Sequence, residues 1–216
     1  MKGHMKVLKS LARLWDFIWN DDSALSWILS VLVAFVMIKY LLYPGLGLIF
    51  GTQYPIVAVV SGSMEHDGSF DDWWNSPAQC DVRCSQGEYY MQYGISKEDF
   101  TGFDLHNGFD TGDIMILVGT APGNLEVGNV VVFFNAIGEP IIHRIIEIND
   151  TGKTHVFHTK GDHNADSIRL PYLDESSVSQ DMIIGKAVLR IPYLGWIKIW
   201  FFNLISYVGK FVAQAL

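Results

Sequence analysis

A Ser-Gly-Ser turn is the first feature of this chain that could carry out chemistry. Ser61, Gly62 and Ser63 follow a short β-branched segment, YPIVAVV, at residues 54–60. Gly62 permits a tight backbone, which makes Ser63 a candidate nucleophile. The Ser61 hydroxyl and the backbone N–H groups of such a turn can stabilise a developing oxyanion. A plain polar turn between strands is the commoner explanation of this motif when it stands alone.

A serine hydroxyl needs a base to remove its proton, and His143 is the strongest candidate among the seven histidines. It lies within an isoleucine-rich segment, PIIHRIIEI, at residues 140–148. Apolar surroundings disfavour the imidazolium, so the ring stays neutral and can accept a proton. A structural core histidine would have the same sequence pattern.

An acid that orients the histidine is expected in the segment TKGDHNAD at residues 159–166. A carboxylate that accepts from the imidazole N–H fixes the tautomer and stabilises the charged ring. Asp162 and Asp166 are both candidates for this role. The structural alternative is a polar, solvated turn after a strand.

An apolar segment precedes these residues and is expected to anchor them to a membrane. The run from Ala24 to Tyr43 is about 20 residues long, enough to cross roughly 30 Å of hydrocarbon, and Pro44 and Gly45 are expected to end it. A cleaved signal peptide is the alternative, but its apolar core has only about 7–15 residues. We therefore predict a transmembrane anchor at 23–50 in a chain of 216 residues.

The charge distribution predicts the orientation of this anchor. Residues 44–195 contain 20 acidic and 8 basic residues, so this part is expected to be extracytoplasmic and not to bind nucleic acid. Residues 1–22 form the predicted cytoplasmic segment, read either as an amphipathic surface helix or as an extension of the anchor. Its cations favour the cytoplasmic side: Lys2, Lys6, Lys9 and Arg13.

Two cysteines agree with an outside location. Cys80 and Cys84, four residues apart, can close a small disulfide in an oxidising compartment. Free thiols are the next alternative. Zinc is less favoured, because neither a Cys-x-x-Cys pair nor paired histidines lie nearby to complete four ligands. The sequence therefore predicts no metal and no other cofactor.

The middle of the chain reads as β-structure with one long insertion. Segments rich in β-branched residues recur between Gly, Pro and Asn turns from residue 113 to residue 191. Residues 66–111 contain many aromatic residues without a sustained period, which indicates an ordered insertion. Residues 196–216 are apolar, and we expect a C-terminal helix that either spans the membrane or lies in its interface.

The ordered set of motifs resembles the type I signal peptidases of the archaeal and endoplasmic-reticulum branch, peptidase family S26B. The resemblance runs from Ser61 to about Gly195 through these motifs: SGSME, GDI at 112–114, VGNVVVF at 127–133, HR at 143–144, TKGD at 159–162 and IIGKAVLRIPYLG at 183–195. It implies a mainly antiparallel β-sheet catalytic domain at 51–195, held against the outer face of a membrane. The N-terminal helix would anchor this domain, and the hydrophobic C-terminal helix would follow it.

The resemblance also implies roles for the candidate residues. Ser63 would be the nucleophile, His143 the general base and Asp166 the orienting acid with Asp162 in support, while Ser61 would help to form the oxyanion hole. The implied activity is removal of signal peptides after small residues at −1 and −3. The expected partners are signal-peptide-bearing preproteins and the lipid bilayer, with a possible position near the translocon.

The chain departs from the family pattern at several positions. Asp166 follows Asp162 by four residues, where six are usual, and His66 stands where proline is common. The altered spacing leaves open a shortened loop or a swap of roles between the two aspartates, and it motivates the alternative of a catalytically silent relative that only binds exported or membrane proteins. A further alternative is an enzyme that uses a Ser–Lys pair with Lys160 as the base. Trp73 and Trp74 of the insertion are expected either at a membrane interface or in simple packing.

Overall fold

The computed structural model describes residues 13, 15–150, 152, 154–196, 199 and 200. It consists of two compact units, residues 1–49 and 50–216. The predicted helix at 196–216 and most of the predicted cytoplasmic segment at 1–22 lie outside the described residues.

The first unit contains a long apolar helix. Helix α1 (Ala24–Met37) continues through a π-helical turn (Ile38–Leu42) into α2 (Tyr43–Phe50). An 18-residue window of these 27 residues has a mean hydropathy of 2.2, so the length and composition of the helix allow it to cross a membrane. The expectation that Pro44 ends the helix is wrong. Proline is disfavoured in the interior of an α-helix. Here the π-helical turn directly precedes α2, and the helix continues past Pro44.

A seven-stranded antiparallel sheet forms the second unit and confirms the predicted fold class. Its order is β1-β4-β11-β5-β6-β7-β10, and every pair of neighbours is antiparallel. The strands are β1 (Ile56–Ala58), β4 (Ile114–Val118), β5 (Val130–Phe134), β6 (Pro140–Asp150), β7 (His155–Lys160), β10 (Val178–Ser179) and β11 (Ile183–Ile191). A separate hairpin between β7 and β10 pairs β8 (Arg169–Leu170) with β9 (Leu173–Asp174).

The insertion is ordered and has its own small core. It contains the hairpin β2 (Pro77–Gln79) with β3 (Arg83–Ser85), and the helices α3 (Phe70–Trp74), α4 (Gln86–Gln92) and α5 (Lys97–Thr101). Each of these helices begins with a serine capping box. Such capping signals act over three or four residues. The sequence of the insertion therefore shows no hydrophobic period that extends over a longer segment.

Aromatic packing holds the insertion on the sheet. Buried rings from its three helices pack together with Ile146 of β6, so the tryptophans belong to an interior and the membrane-interface alternative is wrong. A disulfide joins Cys80 to Cys84 and closes the β2–β3 hairpin. The buried aromatic residues are Trp73, Trp74, Tyr89, Tyr90 and Phe100.

Candidate active site

The serine turn and strand β6 bring Ser63 and His143 together. Ser63 follows β1, and its Oγ lies 2.9 Å from Nε2 of His143, which is a residue 80 positions later in the chain. Ser61 Oγ lies 3.3 Å from Ser63 Oγ. The three side chains therefore occupy the relative positions that a nucleophile, a base and an oxyanion donor require.

Glu175 is the carboxylate that contacts the histidine, and neither predicted aspartate does so. Its Oε1 lies 2.5 Å from Nδ1 of His143, and the glutamate is fully buried. A carboxylate only accepts hydrogen bonds, so Nδ1 carries the proton and Nε2 is free to accept the Ser63 hydroxyl proton. The geometry is that of a serine, histidine and acidic residue in series, with glutamate as the acid.

The short hairpin β8–β9 explains how Glu175 reaches this position. The chain leaves β7, reverses through this hairpin and enters a 3₁₀ turn that begins at Glu175. Glu175 N–H donates to the Ile168 carbonyl at 2.9 Å, and Ile168 N–H donates back to Oε2 at 2.7 Å. The Thr159 hydroxyl of β7 donates to Oε1 at 3.0 Å. These bonds fix the carboxylate, leaving little freedom in its distance to His143.

Asp162 is buried in a different network. Arg144 binds it through Nη2 at 2.7 Å and through Nε at 3.0 Å, while Tyr90 OH donates to it at 2.8 Å and His66 Nε2 lies 3.1 Å away. Burial by itself would raise the pKa of Asp162, but the Arg144 charge and the hydrogen bonds from His66 and Arg144 outweigh it and hold the pKa far below its ordinary value. This aspartate therefore neutralises a buried arginine.

Asp166 lies in a third environment, on the side of the loop that faces the insertion. Its Oδ1 accepts from Tyr89 OH at 2.6 Å and from Ser167 N–H at 2.7 Å. The predicted position of Asp166 beside His143 is therefore wrong. The shorter spacing after Asp162 carries this carboxylate to Tyr89, and Glu175 occupies the place beside the imidazole.

Lys160 is buried beside the same loop, but its amine is directed into the insertion. Its Nζ donates to Gln86 Oε1 at 2.8 Å and to the Gly161 carbonyl at 3.0 Å, and it lies 5.0 Å from the Tyr89 ring centroid. Burial lowers the pKa of Lys160 to about 8, although Asp162 and Glu175 oppose this shift. Because His143 occupies the hydrogen-bonding position on Ser63, the geometry does not favour Lys160 as the base.

Ser63 and His143 lie on the wall of an apolar cleft. The cleft has a volume of about 260 Å³, and apart from Ser61, Ser63, His143 and Asn164 its lining is made of valine, isoleucine, alanine and proline side chains from β1, β5, β6 and the loop before β8. An extended peptide with small side chains fits such a surface. In the part of the chain that the structure describes, no three His, Cys, Asp or Glu side chains come together in a group that could hold a metal ion.

Sequence reasoning selected Ser61, Ser63 and His143, which the structure brings together, but it did not select Glu175 or Asn164. Glu175 lies in the segment LDESSVS, which reads as an ordinary surface turn. Asn164 lines the cleft, although its motif drew attention only to the neighbouring aspartates. The one available signal was the unusual spacing between Asp162 and Asp166, which set this loop apart from the family pattern.

The chain is similar in sequence to several known signal peptidases. The chain is 33% identical over 99 residues to the signal peptidase complex catalytic subunit SEC11 of Pyricularia oryzae, covering 44% of this chain and 57% of that protein. It is 29% identical over 165 residues to the corresponding subunit of Pyrenophora tritici-repentis, covering 74% and 70%. Signal peptidase I W of Bacillus subtilis is 29% identical over 100 residues, covering 46% and 52%.

These similarities confirm the resemblance predicted from the motifs. The chain is a homologue of signal peptidase catalytic subunits of the endoplasmic-reticulum type. The matched region spans between about half and seven tenths of the length of these three relatives. No protein-family model matches the chain.

Proposed function

We propose that this protein is a membrane-anchored serine endopeptidase that removes N-terminal signal peptides from exported proteins, after small residues at −1 and −3. The hydrogen-bonded series Ser63–His143–Glu175, of which Ser63 and His143 line an apolar cleft, is the observation that carries the proposal. The relatives named signal peptidase catalytic subunit and signal peptidase I support the same substrate class.

The chemistry follows from the order of the three side chains. His143 Nε2 removes the Ser63 proton as Oγ attacks the carbonyl carbon of the scissile peptide bond. The Ser61 hydroxyl donates to the oxyanion, while Glu175 stabilises the imidazolium through Nδ1. His143 then protonates the leaving amine, and a water molecule activated by the same ring hydrolyses the acyl-enzyme.

The apolar cleft supports the expected preference for small side chains. A substrate in extended conformation can lie along β1, an edge strand of the sheet, with alternate side chains directed toward the cleft wall. Valine and isoleucine side chains line the cleft, including Val57, Val132, Ile142 and Ile168, and they leave room only for small groups.

The proposed arrangement in the membrane places the helix at 23–50 as anchor, with the N-terminus cytoplasmic and the catalytic domain at 51–195 extracytoplasmic. The acidic charge of the domain and the disulfide of the insertion support an extracytoplasmic position of the domain at a cell membrane. We propose one or two passes, according to whether 196–216 spans the bilayer. Preproteins would reach the cleft near the translocon.

The altered aspartate spacing no longer favours a silent relative, because Glu175 supplies the acid that Asp166 does not.

The experiment that tests the enzyme is cleavage of a preprotein by the purified protein in detergent. Wild type should release the signal peptide after Ala-x-Ala, and Ser63→Ala should lower the rate by about 10³-fold or more. Ser76→Ala, outside the cleft, is the matched control. A Ser63→Ala variant as active as wild type would refute the mechanism.

A further inference from the structure

The side chain of Asn164 is a polar group of the cleft that the mechanism above does not use. The loop that carries it is tightly held, because Asn164 N–H donates to the Gly161 carbonyl at 2.9 Å and its own carbonyl accepts from Gln86 Nε2 at 3.0 Å. Its side-chain carboxamide is half-buried, lines the cleft and makes no hydrogen bond to any other described residue. A fixed backbone with an unpaired amide directed into the cleft is an arrangement suited to binding a ligand.

Gly161 shows how close this amide is to the catalytic histidine. A Cβ built on Gly161 would lie 2.7 Å from Asn164 Nδ2, 2.8 Å from His143 Nε2 and 2.8 Å from the Ser63 carbonyl oxygen. The first two distances limit the separation of Nδ2 from Nε2 to 5.5 Å at most, which is 2.7 plus 2.8. Glycine is required at this position because any side chain would push these groups apart.

The position of Nε2 defines what the amide can reach. His143 must deliver its proton from Nε2 to the leaving amine, so that amine lies within hydrogen-bond distance of Nε2 during the reaction. A group within 5.5 Å of Nε2 can therefore reach the backbone that continues from this amine. The mechanism proposed above assigns the oxyanion to another donor, the Ser61 hydroxyl, whose Oγ lies 3.3 Å from Ser63 Oγ.

We propose that the Asn164 carboxamide hydrogen-bonds to the substrate backbone just after the cleaved bond, at the first residue of the released mature chain. This inference rests on the proposed endopeptidase function. Asn164 would then be a substrate-binding residue for the leaving side, while the apolar cleft holds the signal-peptide side.

Two substrates that are identical up to the carbonyl of the −1 residue, and that differ in the cleaved bond and in the leaving group, test the proposal. One is a peptide that spans the cleavage site. The other is the p-nitrophenyl ester of the same peptide ending at the −1 residue, which has no residue on the leaving side. The kcat/KM of wild type, Asn164→Ala and the matched control Asn124→Ala is measured on both. Asn124 is exposed, outside the cleft, and its side chain makes no hydrogen bond to a described residue.

For Asn164→Ala we expect kcat/KM to fall about tenfold on the peptide, the effect of one lost hydrogen bond, and to stay within about twofold of wild type on the ester. An equal fall on both substrates would mean that Asn164 only supports the structure of the site, and it would overturn the proposal, as would an unchanged peptide rate. If Ser63→Ala cleaved both substrates like wild type, the proposed function itself would fail, and this inference with it.

Discussion

The two faces of the strand pair β6–β7 each bury one carboxylate but use it differently. His143 and Arg144 are consecutive residues of β6, so their side chains point to opposite faces of the sheet. Glu175 binds His143, and Asp162 binds Arg144. Both carboxylates are fully buried. In each of them, both carboxylate oxygens make hydrogen bonds.

Strand β7 also directs consecutive side chains to the two faces of the sheet. Thr159 donates to Glu175, whereas the next residue, Lys160, extends to Gln86 of the insertion. Arg144 keeps its charge at all relevant pH values, so the Asp162 pair is permanently ionic and structural. His143 gains and loses a proton in each proposed turnover, so Glu175 faces a charge that appears only during the reaction. What separates the carboxylate proposed to be catalytic from the structural one is the chemistry of its partner, since burial is the same.

The largest expected effect comes from the catalytic face. Glu175→Gln should lower kcat/KM for preprotein cleavage by about 10³–10⁴-fold, because a neutral amide neither fixes the reactive His143 tautomer nor stabilises the imidazolium. Asp166→Asn is the matched control and should remain within about threefold of wild type, since an amide oxygen can still accept from Tyr89 and Ser167. Steady-state kinetics on one peptide measures both. The opposite ranking would return the catalytic role to Asp166.

Substitutions on the structural face, where Asp162 binds Arg144, should mainly change the free energy of unfolding. Asp162→Asn leaves Arg144 buried without a counter-ion, and we expect the free energy of unfolding to fall by about 3–5 kcal/mol. Asp110→Asn, which weakens the more exposed pair with Arg190, should cost less than about 1 kcal/mol. Urea unfolding of the detergent-solubilised proteins, followed by tryptophan fluorescence, compares them. A stable but inactive Asp162→Asn protein would contradict the assignment.

Lys160 allows a finer test of the same face through pH. Its pKa falls from 10.5 to about 8 on folding, so between these values the unfolded chain binds one more proton than the folded protein. Stability should therefore rise with pH above about 8, by up to about tenfold in the folding equilibrium constant per pH unit, with no slope from this group below pH 8.

Lys160→Met should abolish that rise in urea unfolding between pH 7 and 9.5. The range stays below the ordinary pKa of tyrosine, because burial raises the pKa of Tyr89 and Tyr90 and would produce an opposite slope at higher pH. Identical pH slopes for wild type and Lys160→Met would show that the amine is not desolvated in the folded protein.

Much of this site could be predicted because its signals are local. The strand pattern around His143 acts within a few residues, and this segment forms β6 as expected. The glycine between Ser61 and Ser63 acts equally locally, and the serine turn follows β1 as expected. Glu175 could not be found in this way. Its role depends on the β8–β9 hairpin, whose strands are only two residues each, and on a bond to a histidine 32 positions earlier.

The packing of the insertion could not be predicted from local sequence signals either. Aromatic content predicted order, and capping serines explain its short helices, but nothing in the sequence indicates which rings become buried. Trp73 donates from Nε1 to the Asp162 carbonyl at 3.1 Å, and Tyr90 binds the carboxylate of the same residue. Contacts between parts of the chain more than 70 residues apart decided this packing, and no local pattern encodes them.

The β8–β9 hairpin has a consequence for the evolution of this site. Glu175, the acid proposed to serve His143, comes from beyond the loop that carries Asp162, so a change in the length of that loop need not move it. The shorter spacing would displace a catalytic Asp166, yet Glu175 is bound to Ile168 and Thr159. An alignment that assigns the acid by its distance from Asp162 would therefore select a residue other than the carboxylate that contacts His143 in this chain.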